Sequence, residues 1–338
     1  WPRSKWDDNL SRKIEALSGE QGRDATGITL TPIEPKATAT SYEYKWVSVT
    51  IDAEQRLANV TMRGPDGDVL QSHDALHKNA DNAWVLRAWR QLDDALLRLR
   101  FNHPDVGLIL VRTAGDRDAV IANDEAIEKL RAEGSWLARE VQLHQARTLR
   151  RLDNMARSLF ALVEPDSCFA GSMFELALSC DRQYMLDDPD RDNFVRLGAV
   201  NTAGSDSAFV THNGTTRMQT RFLGDSATWQ SAVDAAGEDI DPMAADELGI
   251  ITLALDDIDW EDEVRIAIEE RVSMSPDALT GMEQNLRFAG AETCDTKVFG
   301  RLSAWQNWIF QRPNAVGERG ALPMYGHPEK PVFDWTRT

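Results

Sequence analysis

Cysteine is scarce in this chain. Its 338 residues hold three, Cys168, Cys180 and Cys294, and none forms a CxxC pair. That argues against a disulfide scaffold and suits a reducing, cytoplasmic setting. Cationic residues are also in deficit: 37 Lys and Arg face 55 Asp and Glu, a net charge of −18. Nucleic acid and anionic membranes are therefore not expected as partners, because both need clustered Lys and Arg. No apolar run approaches the roughly 20 residues of a membrane span, and no signal peptide is visible. The GxxxxGK[ST], HExxH and GxSxG patterns are missing, as is a GxGxxG following a strand. The six histidines are scattered, none at metal-ligand spacing, so no metal is expected. The Asn-x-Ser/Thr matches at Asn9 and Asn213 are read as chance occurrences.

What is present is enough apolar material, 42 % of residues, for a sizeable core. The opening SKWDDNLSRKIEALSGE reads as a helix with Ile14 and Leu17 on one face. A Thr/Pro/Ala-rich stretch, Gly27 to Ser41, marks a linker. KWVSVTI from Lys45 and LANVTM from Leu57 alternate and predict a hairpin. Between Ala83 and Arg100, apolar residues recur every three or four positions and predict an amphipathic helix. VGLILVR from Val106 and LFALV from Leu159 are continuous apolar runs, as buried parallel strands should be. A long helix from about Ser135 to Ala156 separates them, a second follows from Ser172 to about Asp181, and Arg182–Leu186 reads as a further strand. Beyond Gly214 the pattern is mostly helical, interrupted by a strand at Ile250–Leu253, with helices near Trp260–Arg271 and Val298–Phe310. The Pro/Gly-rich end reads as an extended arm whose Phe333 and Trp335 favour docking. Strands alternating with helices place the chain in the α/β class.

The segment EPDSCFAGSMFELALSCDRQYM, Glu164 to Met185, carries chemistry in principle. A strand that turns tightly into a helix N-terminus exposes backbone N–H groups able to hold charge on a carbonyl oxygen. A carboxylate one turn in, Glu175, could then act as acid or base. The competing reading is structural. Ser172-Met-Phe-Glu175 matches an S-x-x-E capping box, which would spend Glu175 on the helix end. His144, within a helix, and His212, in VTHNGTTR, are read as structural, and Glu164 as a turn or surface acid.

CFAGSMFELALSCDRQYM and DPMAADELGIIT resemble the crotonase (enoyl-CoA hydratase/isomerase) superfamily over roughly Lys45 to Arg271. A closer resemblance takes in TPIEP ahead of VSVTID and the long run from Val272 to Leu322. It is to the C-terminal half of ring-cleaving lyases of aerobic benzoyl-CoA degradation, whose chains join two crotonase-like halves. The resemblance implies a crotonase-like ββα-spiral core at residues 45–255. A helical region at 256–312 and an extended arm at 313–338 would follow it. Residues 1–19 would close a missing upstream N-terminal half and residues 20–44 would link the two, consistent with a chain that opens on Trp1. It further implies an acyl-CoA substrate, no cofactor beyond that thioester, and a homo-oligomer. The CoA-binding residues stay unassigned.

The family's reaction uses two glutamates and two backbone N–H groups. Glu175 matches the first glutamate, Ser172 the adjacent N–H, and the second N–H falls near Ile121 in DAVIANDEAI. The second glutamate has no match: Ala199 or Ala203 stands at its place, and Asp206 is the nearest carboxylate. The expectation is therefore a non-catalytic, structural half in which Glu175 caps its helix. The alternatives are an independent hydratase or isomerase using Glu175, or a purely structural oligomerisation domain.

Overall fold

Alternating β-branched residues build a sheet edge, and apolar runs build its centre. The computed structural model describes residues 1–19, 27–290 and 292–337. Eight strands form one sheet in chain order: β1 (Lys36–Ala37), β2 (Ser41–Glu43), β3 (Val47–Asp52), β4 (Leu57–Arg63), β5 (Leu108–Ala114), β6 (Ser158–Val163), β7 (Arg182–Asp187) and β8 (Leu253–Asp256). β1 to β4 pair antiparallel as a meander, whereas β4 to β8 pair in parallel. The parallel strands need long crossovers, and helices supply them. These are α2 (His73–Asn79) and α3 (Trp84–Asn102), α4 (Arg117–Ala132) and α5 (Trp136–Asp153), and α6 (Gly171–Leu178). Before β8 come α7 (Ala199–Thr202), α8 (Arg217–Phe222), α9 (Ser226–Asp234) and α10 (Pro242–Glu247).

All six residues of β6 are buried, because both faces of the sheet are covered there. On one face Leu57, Leu108, Leu110, Phe160, Leu162, Tyr184 and Leu255 pack under α11 (Trp260–Ser273). Phe160 alone contributes about 2–3 kcal/mol by leaving water, and its ring meets Tyr184 edge-on at 5.6 Å. α6 packs against β5, β6 and β7.

The described chain divides into two units, Trp1–Thr31 and Pro32–Thr338. In the first, α1 (Trp6–Gly19) carries Asp7 and Asp8 in its first turn, where the helix dipole favours acids. Its stripe of Trp6, Leu10, Ile14 and Leu17 is exposed. In the second unit, α12 (Pro276–Arg287), a π-helical turn at Thr296–Leu302, α13 (Ser303–Ile309) and α14 (Pro313–Val316) follow α11. Asp334 then exchanges backbone hydrogen bonds with the Asn314 side chain, at 3.0 and 2.8 Å. The Phe333 and Trp335 rings meet at 5.5 Å.

Several elements differ from the sequence reading. Residues 20–26 of the expected linker lie outside the described residues, and its later part contributes β1 and β2 to the sheet. β8 sits three residues beyond the expected Ile250 start, because Ile250 and Ile251 are buried ahead of the strand. α12 was hidden by its proline start. DAVIANDEAI, where the second backbone N–H was expected, is an uninterrupted part of α4, started by Asp116, whose carboxylate accepts the Asp118 N–H at 2.8 Å.

Candidate functional site

β6 carries the chain to the carboxyl ends of the parallel strands, and residues 164–170 turn it into α6. Gly171 makes that turn at φ +47° and donates its N–H to the Arg196 carbonyl at 3.1 Å. Only glycine fits. The conformation is left-handed, a Cβ would overlap the Asp124 carboxylate, and it would press within 3.1 Å of the Ile121 side chain. At Gly198 a Cβ would likewise come within 2.9 Å of Ile121. Ile121 is thus wedged between two glycines.

The helix starts at Gly171 with Ala170 as its N-cap residue, and Ala170 has no side-chain acceptor. Ser172 is therefore inside the first turn rather than at the cap, and its buried Oγ makes no hydrogen bond among the described residues. The capping box is not formed. This corrects the sequence reading, whose register was two residues late. The cap comes from elsewhere: the Ser172 N–H donates to the Asp124 carboxylate at 2.7 Å. A carboxylate at a helix N-terminus is favourable in this position, but Asp124 is also buried. Desolvation dominates, and against the Ser172 N–H it pushes the carboxyl up to about 7.

Glu175 is 1 % exposed. Its carboxylate accepts from Asn201 Nδ2 at 2.8 Å and from Arg217 Nη1 at 3.2 Å. Arg217, also buried, grips Asp153 with Nε and Nη2 at 3.2 and 2.6 Å and donates to the Phe209 carbonyl at 3.1 Å. Burial raises the Glu175 pKa against the opposing pull of Arg217 and Asn201. Asn201 is fixed in turn, accepting the Gly198 N–H at 2.8 Å and donating to the Gly171 carbonyl at 3.1 Å. Two acids, one cation and one amide thus form a closed buried network.

The expected residues separate accordingly. Ser172 and Ile121 do meet at the helix N-terminus, beside Asp124. The Ser172 N–H already has its acceptor, however, and the Ile121 N–H lies within α4, where helical bonding uses it. Ala199 lines a cavity of about 290 Å³ with Ile121, Asp124, Glu125, Glu128 and Gly198. Asp206 is exposed. Asn201, between Ala199 and Ala203, is the residue that reaches Glu175. His212 pairs with Asn154 at 2.7 Å and lies beside Phe288. Burial holds His144 down near 4, so it stays neutral. Glu164 pairs with Arg112 at 2.8 Å. Sequence reasoning missed Asp124, Asn201, Arg217 and Asp153. Asp124 lies in plain view within DAVIANDEAI, a segment whose interest had seemed to rest on a backbone N–H rather than on its side chains.

No protein-family profile matches this chain. Among curated proteins, a benzoyl-CoA-dihydrodiol lyase of Aromatoleum evansii is 44 % identical over 332 residues, which is 98 % of this chain. The chain spans 59 % of that relative's length, rather than the one half expected. Among solved structures, an enoyl-CoA hydratase of Geobacillus kaustophilus HTA426 aligns with a TM-score of 0.60 at 15 % identity, over 88 % of this chain and 99 % of that one. An enoyl-CoA hydratase/isomerase of Cupriavidus metallidurans CH34 gives 0.58 at 17 %, over 87 % and 98 %. An enoyl-CoA hydratase of Bacillus anthracis gives 0.57 at 12 %, over 86 % and 99 %. At these identities the likeness concerns the fold alone: this chain has the crotonase-like fold.

Proposed function

We propose that this chain is the non-catalytic, crotonase-like part of a ring-cleaving lyase that acts on a coenzyme A thioester derived from benzoyl-CoA. The whole enzyme would open the oxygenated, dearomatised ring with water, giving an aliphatic semialdehyde CoA ester and formate, without a resident cofactor. The benzoyl-CoA-dihydrodiol lyase similarity supports the substrate class. The Asp124 carboxylate on the Ser172 N–H supports the non-catalytic role. An oxyanion site acts by aiming free donors at the place where charge develops. Here the Asp124 carboxyl group already sits on one donor and Ile121 crowds the same spot. Glu175 is likewise committed, because using it as a base would break its pair with Arg217.

Glu175→Gln in the full-length protein that carries this chain tests the proposal. Turnover of the dearomatised benzoyl-CoA substrate should stay close to that of the parent while thermal stability falls. A drop in turnover of about a hundredfold or more, the usual scale for a missing acid or base, would overturn the proposal. It would favour the reading in which Glu175 does hydratase- or isomerase-type chemistry.

A further inference from the structure

The end of α6 and the start of β7 border a cavity of about 410 Å³, a size usual for a small-molecule site. It lies at the other end of α6 from the contact between Ser172 and Asp124. Five arginines line it against three acids. Each acid is fully engaged. Asp153 gives both oxygens to Arg217, at 3.2 and 2.6 Å, and Asp181 gives both to Arg287, at 2.8 and 2.7 Å. Glu283 accepts from Ser158 and from Arg271 Nη1, with Arg287 3.7 Å away.

The remaining two arginines, Arg182 and Arg221, pair with no acid among the described residues. The three nitrogens of Arg221 donate to the Gly249 and Ile251 carbonyls and, at 2.8 Å, to Gln183 Oε1. All three acceptors are neutral, and desolvation brings this guanidinium down to about 10. Three bonds leave two of its five N–H groups unused. Arg182 is exposed and donates to the Tyr184 hydroxyl at 2.9 Å. The Phe160 ring draws it toward Arg271, the two guanidinium groups lying 5.9 and 5.1 Å from the ring centroid. With Glu175, which shares Arg217, the five arginines face four acids. One positive charge is left over, in a chain whose net charge is −18.

We propose that Arg182 and Arg221 bind a singly charged organic carboxylate in this cavity. A guanidinium fork matches a carboxylate with two parallel N–H donors. The single surplus charge favours a carboxylate over a phosphate dianion. The cavity is larger than a carboxylate group alone fills, and Leu178, Met282 and Leu286 give it an apolar wall. Met282 and Leu286 are 46 and 67 % exposed, so an apolar body on the ligand has surface to cover. The ion pairs of Arg217 and Arg287 stay intact in this arrangement.

Thermal unfolding of the chain with benzoate, benzamide and acetate at equal ionic strength tests this. Benzoate, which has both the charge and an apolar ring, should raise the melting temperature in a saturable way, as a ligand of the folded state does. Benzamide lacks the charge and acetate lacks the body, so neither should match it. Arg182→Gln, at an exposed position, should fold and should raise the half-saturating benzoate concentration about tenfold or more. Arg221→Gln should abolish the benzoate effect. If that variant does not fold, a crystal structure of the parent chain with benzoate should show the carboxylate against Arg221. Equal melting in the three solutes would overturn the proposal. So would an unchanged half-saturating concentration in Arg182→Gln, or benzoate bound elsewhere in the crystal.

Discussion

The two buried clusters of this protein are opposite in their accounting of charge. At the start of α6, every carboxylate has donors and the one guanidinium has acceptors: Asp124 on Ser172, and Glu175 and Asp153 on Arg217. At the His103–Gly107 loop, the two guanidinium groups of Arg157 and Arg337 keep three N–H positions without acceptors among the described residues. The first cluster satisfies its donors and acceptors from within. The second leaves no trace in the sequence pattern, yet its donors face inward. A closed network leaves a ligand nothing to gain. Burial alone therefore does not mark a binding site.

The closed cluster should fail most severely when its single cation is removed. Arg217→Met leaves Asp153 and Glu175 buried without their counter-ion, and should cost about 3–5 kcal/mol in urea unfolding. A loss below about 1 kcal/mol would show that the network is open to water. Gly171→Ala should come next. It places a methyl group on the Asp124 carboxylate in a left-handed backbone, and should cost about 2–4 kcal/mol. Combining it with Asp124→Gly should return part of that loss. An additive double variant would place the clash elsewhere.

Asp124→Asn should have a smaller effect with the opposite sign at high pH. The Asp124 pKa is raised in the folded protein, from 3.8 to about 7, so the folded state holds its proton where the unfolded chain has released it. The stability this contributes is full below about pH 4 and lost as the pH rises through about 7. Asparagine keeps an acceptor for the Ser172 N–H without the charge. The variant should gain about 1–3 kcal/mol over the parent at about pH 8 and almost nothing at about pH 4. A pH-independent difference would mean that the carboxylate is ionised throughout. Glu175→Gln should be mildest, about 1–2 kcal/mol, because Arg217 retains Asp153. A larger loss than that of Arg217→Met would reverse the order of importance within the network.

Much of the fold was legible because it is written in local patterns. VGLILVR and LFALV became β5 and β6, and the three-four periodicity of Val85, Trp89, Leu92, Leu96 and Leu99 became α3. DAVIANDEAI was matched to the second backbone N–H, near Ile121, whereas Asp116 caps a helix that runs through the segment. The S-x-x-E pattern misled for a related reason. A capping box depends on where the helix begins, and Gly171 with Ala170 moved that start upstream of Ser172.

The sequence by itself determined the strand and helix order, the α/β class, the candidate helix start at Gly171–Glu175 and the absence of any glutamate between Glu175 and Glu238. These follow from neighbours a few residues apart. Only the tertiary structure decided which groups those residues meet. Asp124 reaches Ser172 from 48 positions away, and Arg217 reaches Glu175 from 42. Arg157 and Arg337 share a loop only because the arm packs back against the sheet. Such partners are selected by packing in three dimensions, where reach, burial and the position of a helix end outweigh any spacing along the chain.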